Sequence, residues 1–381
     1  MNQLGLRDGK MSVAQKLMEL NWFLVLMLCA LAGVGFAMLY SGSNGSMEPW
    51  ASRQMVRFGI GLGVMIVVAL VDIRVWLQFA YPIYFVALVL LASVEFVGTV
   101  GMGAQRWVDL GVFQLQPSEV MKIALVLALA RYFHARNLDE IETFRGIALP
   151  SLMVLVPAAM VLKQPDLGTA LLLVMGSAMM FFAAGVRLRI FGYGVALGLI
   201  SIPVGWQFLR GYQKERVLVF LNPESDPLGA GYHIMQSKIA LGSGGVFGRG
   251  YMEGTQSHLN FLPEMQTDFI FTMLAEEFGL VGGVGLLFLY AVVIVYGMGI
   301  GNQSRHHFGR LVALGVTATF SLYVIINIAM VMGLLPVVGV PLPLVSYGGT
   351  AMMTLMIGFG FILCVFIHRE TVIPKKYTGL E

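Results

Sequence analysis

The chain consists mostly of apolar runs of about 20 residues, separated by short polar connections. A helix that crosses the hydrocarbon core of a bilayer needs about 20 mainly apolar residues. We predict such a helix at 21–41, 54–73, 76–99, 117–135, 147–163, 167–186, 190–209, 268–299, 308–334 and 342–367. The pattern therefore predicts a single all-α polytopic membrane domain of about ten transmembrane helices. Helices 1–7 occupy residues 21–209, a large folded loop occupies 210–267, and helices 8–10 occupy 268–367.

Composition supports this fold class and excludes several functions. Only 12% of the 381 residues are charged, compared with about 25% in soluble domains. The net charge is +3 and no dense basic block occurs, so the chain is not expected to bind nucleic acid. Cys29 and Cys364 lie in separate apolar runs, so neither a disulfide framework nor a zinc site is predicted.

The basic residues between the apolar runs predict the orientation of the chain. With the N-terminus in the cytoplasm, 14 Lys and Arg residues fall on the cytoplasmic side and nine on the other side, with Lys122 inside a span. Positive charge accumulates in cytoplasmic connections, although long loops cross the membrane largely regardless of charge. We therefore predict that both termini, including the tail 368–381, are cytoplasmic and that the 210–267 loop faces outward.

Two charged residues near the start of the fourth span are candidates for function. Glu119 and Lys122 are three positions apart and therefore share one helix face. Pro117 and an acid in the first turn are also typical of an ordinary helix start, which explains Glu119 but not Lys122. Because a charged residue inside a membrane span is costly, we favour a functional pair that lines a polar cavity.

Two aspartates stand at predicted helix starts on the outer side. Asp166 follows Pro165, and its position alone favours a helix cap over a catalyst. Asp268 ends the outer loop, where either Thr267 or Asp268 is a candidate cap of the eighth helix. The alternative for Asp268 is a carboxylate at the membrane surface that reaches a substrate held by its lipid tail. The residues alone do not decide between these two interpretations.

Basic residues crowd the predicted outer surface, namely Arg106, Lys163, Arg210, Lys214, Arg216 and Arg249. Contact with anionic lipid headgroups is one explanation. The other is a clamp for phosphate or pyrophosphate, for which the forked guanidinium group is well suited. The glycine-rich run 242–250 also allows two interpretations: backbone N–H groups presented to an anion, or a flexible or tightly packed loop, which we favour because the order of a P-loop is missing.

Short motifs follow one another along the chain: GAQRW at 103–107, QPSE at 116–119, QPDLGTA at 164–170, NPESDPLG at 222–229, QSK at 236–238, GSGG at 242–245, FLPE at 261–264, TDFIF at 267–271, AEEFG at 275–279 and SYGGT at 346–350. In order and spacing they resemble the SEDS family (shape, elongation, division and sporulation) over essentially the whole chain. The loop motifs and short tails favour the elongation branch of that family over its division branch.

The resemblance implies a ten-helix glycosyltransferase of the bacterial inner membrane. Such an enzyme polymerises lipid II into peptidoglycan strands during cell elongation and rod-shape maintenance. The implied partners are a class B penicillin-binding protein, which cross-links the strands, and other membrane proteins of the elongation complex. By motif match, Asp268 takes the position of the essential outer-loop carboxylate, while Glu119, Lys122 and Asp166 belong to the polar cavity. Further candidates for substrate binding are Arg106, Trp107, Arg216, Gln236, Ser237 and Ser346.

The chemistry of lipid II predicts which groups the reaction needs. Pyrophosphate leaves readily once its charge is neutralised, so one base and positive charge at the departing phosphates suffice. We hypothesise that Asp268 is this base, with Arg216, Arg106 and Lys122 as phosphate or cavity partners. The sequence departs from the family at Gln266, where the family often has His, so Asp268 has no imidazole at that position to tune its carboxylate.

The sequence also allows two functions of other classes. A lipid II flippase would suit the charges inside the membrane, and a non-catalytic scaffold for the penicillin-binding protein would tolerate their removal. The sequence also does not decide whether a divalent cation, Mg²⁺ or Mn²⁺, assists at the pyrophosphate.

Overall fold

A computed structural model describes residues 11–375 except 102–103, 110, 112–113, 142, 209–210, 223–225, 227–229 and 260–263. Within this part of the chain the helices are α1 (Val13–Met18), α2 (Trp22–Gly42), α3 (Ala51–Leu70), α4 (Ile73–Val97), α5 (Pro117–His134), α6 (Leu138–Ile141), α7 (Phe144–Lys163), α8 (Leu167–Ala183), α9 (Leu188–Phe208), α10 (Gly211–Leu221), α11 (Ala230–Ser243), α12 (Thr255–His258), α13 (Ile270–Gln303), α14 (His307–Val331) and α15 (Gly349–Ile367). The strands are β1 (Thr99–Gly101), β2 (Ala104–Asp109) and β3 (Gln114–Leu115).

Every predicted span corresponds to a helix, and these helices are α2–α5, α7–α9 and α13–α15. Seven helices in the described part of the chain are long and apolar enough to cross a bilayer. The other three are α5, which contains three charged residues, and α8 and α9, whose apolar stretches are shorter. The polytopic helical membrane fold is thereby confirmed, whereas the count of ten spans and the outward position of the long loop remain predictions.

Helices α14 and α15 form the centre of the bundle. In their most apolar stretches, 83% and 78% of the residues are buried, compared with 28% in α4. Helix α14 packs against α5, α8, α13 and α15. Small residues permit this packing. At Gly297 of α13, for example, a side chain would not fit, because a Cβ atom there would lie only 2.4 Å from Oγ1 of Thr317 on α14. Helix α14 therefore contacts α5, which carries Glu119. It also contacts α8 and α13, which begin just after Asp166 and Asp268.

The connection between α4 and α5 contains three antiparallel strands in the order β1-β2-β3, an addition to the predicted all-helical fold. Thr99 pairs with Trp107, and Val108 pairs with Leu115. The outer strands have only three and two residues, and the six residues of β2, AQRWVD, do not alternate between apolar and polar, so the sequence pattern did not reveal them. This small sheet holds the backbone of β2, which carries Arg106 and Trp107.

The glycine-rich run 242–250 packs against an interruption in α13. Gly279 has φ 64° and ψ −160°, and four backbone hydrogen bonds of 3.0–3.1 Å join residues 245–250 to residues 276–281. A Cβ atom on Gly248 would lie 2.1 Å from the carbonyl oxygen of Glu277. These bonds satisfy backbone groups that the interrupted helix leaves open. Tight packing is therefore the interpretation of the glycine run that the structure supports.

Substitution of Gly248 tests this packing. We expect Gly248→Ala to cost about 2–4 kcal/mol of stability, because the new methyl group overlaps a carbonyl oxygen and because φ is +82°. Gly242→Ala is the matched control in the same run, since a Cβ atom there has nothing within 4 Å. Thermal unfolding in detergent should show a marked fall in Tm for the first variant only. Equal Tm values would contradict the packing.

A histidine caps the N-terminus of α14. The backbone N–H of Gly309 donates to Nδ1 of His306 at 2.8 Å, and this bond requires a neutral ring. Burial is the main cause that lowers the pKa of His306 from 6.5 to about 4. The stabilising contribution of the neutral ring is therefore fully present above pH 6.5 and is lost as the pH falls towards 4.

We expect acidification from pH 7 to pH 5 to cost about 2 kcal/mol through His306. His306→Asn keeps an acceptor for the cap but does not titrate in this range. The Tm of this variant in detergent should consequently fall less than that of the unaltered protein between the two pH values. The same fall in both proteins would show that His306 does not carry the effect.

Candidate functional site

Glu119 and Lys122 form a buried ion pair at the N-terminal end of α5. Pro117 occupies the first position of the helix and Glu119 lies in its first turn. Lys122 Nζ donates to Glu119 Oε1 at 2.6 Å, and each residue is only 4% exposed. The contact is the one that the i,i+3 spacing predicts. Glu119 is therefore more than a helix-entry acid, because it neutralises a lysine inside the bundle.

Tyr323 on α14 completes this cluster, and sequence reasoning had not singled it out. Its hydroxyl group donates to the Glu119 carboxylate, with 3.0 Å to Oε1 and 3.1 Å to Oε2. Lys122 Nζ lies 4.3 Å from the centroid of the Tyr323 ring, where the face of the ring attracts a cation. The three side chains thus join α5 to the central helix α14.

Asp166 is the N-cap of α8, as its position in the sequence favours. Its Oδ1 accepts from the backbone N–H of Thr169 at 3.2 Å, and its Oδ2 accepts from the Thr169 hydroxyl at 2.9 Å. Gln116, immediately before α5, donates from Nε2 to Asp166 Oδ2 at 3.5 Å. The cap therefore also lies next to the start of the helix that carries Glu119 and Lys122.

Arg106 reaches the same turn from β2. Its Nε atom lies 3.9 Å from Asp166 Oδ2, and its guanidinium group donates to the carbonyl oxygens of Gln164, at 3.3 Å, and of Pro165. The Arg106 side chain is 28% exposed. Arg106 thus holds the α7–α8 turn while its side chain stays partly exposed.

The main chain around Asp268 is anchored at three consecutive carbonyl oxygens. Gln266 O accepts from the backbone N–H of Tyr347 at 2.8 Å, and Thr267 O accepts from the Ser346 hydroxyl at 2.5 Å. Asp268 O accepts from Asn327 Nδ2 at 3.0 Å. The backbone is thereby fixed by bonds to its carbonyl oxygens, while the Asp268 residue stays partly exposed.

Capping does not account for Asp268. Helix α13 begins at Ile270, and its N-cap is Phe269, which makes no side-chain capping bond. Neither Thr267 nor Asp268 is therefore the N-cap. Gly339, at φ +70°, lies behind the carboxylate, and a Cβ atom there would be 3.6 Å from Asp268 Oδ2.

The connection between α14 and α15 brings these groups into one region. It packs closely on α8, because a Cβ atom added to Gly168 would lie 2.8 Å from the carbonyl oxygen of Val338. It is also bonded to α14, since Val340 O accepts from Asn327 Nδ2 at 2.7 Å. The predicted tenth span began at residue 342, whereas α15 begins at Gly349. The seven residues in question are a loop because Pro341 and Pro343 interrupt the helical pattern.

Glu119 and the main chain of Asp268 are bound from the same helix, α14, and Asp166 contacts the start of α5 through Gln116. Asn327 and Tyr323 are four residues apart on α14 and share one face. Along that face, Tyr323 binds Glu119 and Asn327 binds the main chain of Asp268. Tyr323 and Ser346 also line one small cavity of about 10 Å³, about the space that one water molecule needs.

The remaining predicted substrate-binding residues occupy different positions. Ser237 is fully buried, and its hydroxyl contacts the Thr272 hydroxyl at 3.0 Å and donates to Val331 O at 2.8 Å. Ser237 thus fastens α11 to α13 and α14. The adjacent Gln236 has a buried Oε1 without a hydrogen-bond partner in the described part of the chain. The side chain of Arg216, on α10, lies outside the described residues.

A second buried cluster was missed by sequence reasoning. Glu277 Oε1 accepts from the Ser41 hydroxyl and lies 3.3 Å from His258 Nε2. The other ring nitrogen, His258 Nδ1, lies 2.6 Å from Asn44 Oδ1. Glu276 Oε1 accepts from the backbone N–H of Gln256 at 2.8 Å. Two consecutive acids inside an apolar run were the available signal, and both serve to hold α12 against α13.

The described residues contain no group of three or more His, Cys, Asp or Glu side chains that could hold a metal ion. The donors of the candidate site are instead engaged with one another or with the backbone, as at Glu119 and Asp166. Assistance by Mg²⁺ or Mn²⁺ at the pyrophosphate therefore stays a prediction.

Comparison with known proteins gives consistent relatives. A family model described as "Cell cycle protein", for FtsW, RodA and SpoVE, matches residues 18–371. The chain is 45% identical over 351 residues to the peptidoglycan glycosyltransferase MrdB of Escherichia coli K12, covering 91% of this chain and 93% of that protein.

Solved structures agree with this result. A chain of a peptidoglycan synthase complex, described as coordinating polymerization and crosslinking, superimposes with a TM-score of 0.81 at 33% identity, covering 93% of this chain and 99% of that one. The crystal structure of the rod shape determining protein RodA of Thermus thermophilus gives 0.70 at 29% identity, covering 92% and 97%.

Proposed function

The chain belongs to the FtsW/RodA/SpoVE family of cell cycle proteins, and we propose that it polymerises lipid II with Asp268 as the general base. It is a peptidoglycan glycosyltransferase, the activity that its relatives carry in their names. The observation that carries the assignment of Asp268 is its partly exposed position on a main chain anchored at three consecutive carbonyl oxygens. Such anchoring places a catalytic group before the substrate arrives.

The proposed reaction transfers a sugar from one lipid II molecule to a hydroxyl group of another. The hydroxyl oxygen attacks the anomeric carbon, the bond to the pyrophosphate oxygen breaks, and Asp268 takes the hydroxyl proton. Undecaprenyl pyrophosphate leaves with the bonding electron pair. A positioned carboxylate is suited to this role because it removes the proton while the new bond forms.

Positive charge at the departing pyrophosphate is proposed to come from Arg106 and Arg216. The partial exposure of the Arg106 side chain supports the first assignment. Lys122 is less suited to phosphate, because Glu119 already neutralises it within the protein; we assign both, with Asp166, to the wall of the polar cavity. Gln236, with its unpaired Oε1, is a better candidate for substrate contact than Ser237. No step of this proposal passes through a metal ion.

Location and partners extend the proposal. The family and the apolar helices support a position in the bacterial inner membrane, with both termini cytoplasmic and Asp268 on the outer face. The similarity to a chain of a peptidoglycan synthase complex supports a class B penicillin-binding protein as partner, together with other membrane proteins of the elongation complex.

Purified protein supplied with labelled lipid II in detergent, with and without this partner, tests the proposed function. We expect glycan polymer to form in detergent, where there is no membrane for lipid II to cross. Absence of polymer in both mixtures, combined with transfer of lipid II between the leaflets of vesicles, would instead identify a flippase. Absence of both activities would identify the protein as a non-catalytic scaffold.

A further inference from the structure

A second site lies at the opposite end of α5 from Glu119. A pocket of about 390 Å³ is lined there by Arg136, Asn137, His307, Arg310 and Lys375, together with small residues of the α8–α9 connection. Helix α5 has 18 residues, so about 27 Å of helix separates this pocket from the candidate catalytic region. Its lining residues take no part in the proposed reaction.

The pocket concentrates positive charge. Arg136, Arg310 and Lys375 all line it, and no described carboxylate lies within 4.0 Å of their side-chain nitrogens. The nearby acids Asp139 and Glu140 on α6 are exposed. None of the three cations is therefore paired directly with a described carboxylate, and Arg136 and Lys375 contact neutral groups.

Two of these neutral contacts are well defined. Lys375 Nζ donates to Asn137 Oδ1 at 2.5 Å, and the Arg136 guanidinium group lies 3.7 Å from the centroid of the Tyr132 ring. Stacking on an aromatic ring and bonding to an amide both leave other N–H donors of these groups available. Cations that are preorganised in this way suit the oxygens of a phosphate group.

The enrichment of positive charge in cytoplasmic connections explains how many cations lie at this end of the bundle, but not why they meet in one pocket. The pocket lies at helix ends, the level at which lipid headgroups stand. Phe182 and Leu188, on either side of the α8–α9 connection, are 62% and 70% exposed and offer apolar surface for acyl chains. We infer that this pocket binds the phosphate group of an anionic phospholipid headgroup.

Titration of the purified full chain in detergent with phosphatidylglycerol tests this inference, with bound lipid counted by native mass spectrometry. Each removed positive charge should weaken binding about fivefold. Arg310→Gln should therefore lose about fivefold in affinity and Arg136→Gln/Arg310→Gln about 25-fold. Arg305→Gln is the matched control at the same end, because Arg305 is exposed and pairs with Glu370 at 2.9 Å. Its affinity should stay within twofold of the unaltered chain.

Two further ligands distinguish the source of the phosphate. Phosphatidylcholine carries the same phosphate with a compensating charge, and we expect it to bind at least tenfold more weakly. Inorganic phosphate should not displace phosphatidylglycerol at equal concentration. Unchanged affinity in Arg310→Gln, equal binding of the two lipids, or displacement by inorganic phosphate would each overturn the inference. The single variant keeps the test valid if the double variant does not fold.

Discussion

Asp268→Asn is expected to lower the rate of glycan polymerisation by about 10²–10⁴-fold, the usual contribution of a general base. Asparagine has nearly the same shape but does not accept a proton at neutral pH. The anchor from Asn327 should survive, because it binds the main-chain oxygen of residue 268 and not the carboxylate. The loss should appear in polymer formed from labelled lipid II by purified protein, with Tm close to that of the unaltered chain.

Glu253→Gln provides the matched control for this experiment. Glu253 is an exposed carboxylate in the same long segment and has no part in the proposed reaction, so its removal should leave polymerisation unchanged. An Asp268→Asn protein that folds and polymerises at the normal rate would contradict the assignment of Asp268 as base.

The second large effect concerns stability. Lys122→Met is expected to cost about 3–5 kcal/mol, because it leaves the Glu119 charge buried without a cationic partner. Glu119→Gln should also destabilise the protein, since Lys122 would then be buried without its carboxylate. The double variant should lose clearly less than the sum of the two single variants, because no unpaired charge remains.

An exposed ion pair supplies the control for these variants. Lys163 Nζ lies 2.7 Å from Glu95 Oε2, and the Lys163 side chain is 70% exposed, so Lys163→Met should change stability by no more than about 1 kcal/mol. Thermal unfolding in detergent measures all four proteins. Additive losses in the double variant would show that Glu119 and Lys122 do not act as a pair.

Local features of the fold followed from the sequence. Apolar runs of membrane-spanning length located ten helices. The helix starts at Pro117 and Asp166 could be predicted because proline at the first position and a capping aspartate act within the first turn of the helix. The Glu119–Lys122 contact was equally local, because three residues of spacing on a helix determine it. These predictions needed no knowledge of distant partners.

Long-range partners could not be predicted in the same way. Tyr323 is 204 residues from Glu119, and the glycines of 242–250 have their function only against the interruption at Gly279. The composition of neither segment predicts that the two segments are in contact. The loop before α15 was assigned to a helix because its residues are apolar. Its role beside Asp268 depends on bonds from Ser346 and Tyr347 to the carbonyl oxygens of Thr267 and Gln266.

A structure of the chain with donor and acceptor lipid II bound tests the central assignment most directly. We expect a sugar hydroxyl of the acceptor to lie about 2.6–3.2 Å from a carboxylate oxygen of Asp268, or to be joined to it by one water molecule. Saccharides bound where no hydroxyl reaches Asp268, directly or through one water molecule, would contradict it.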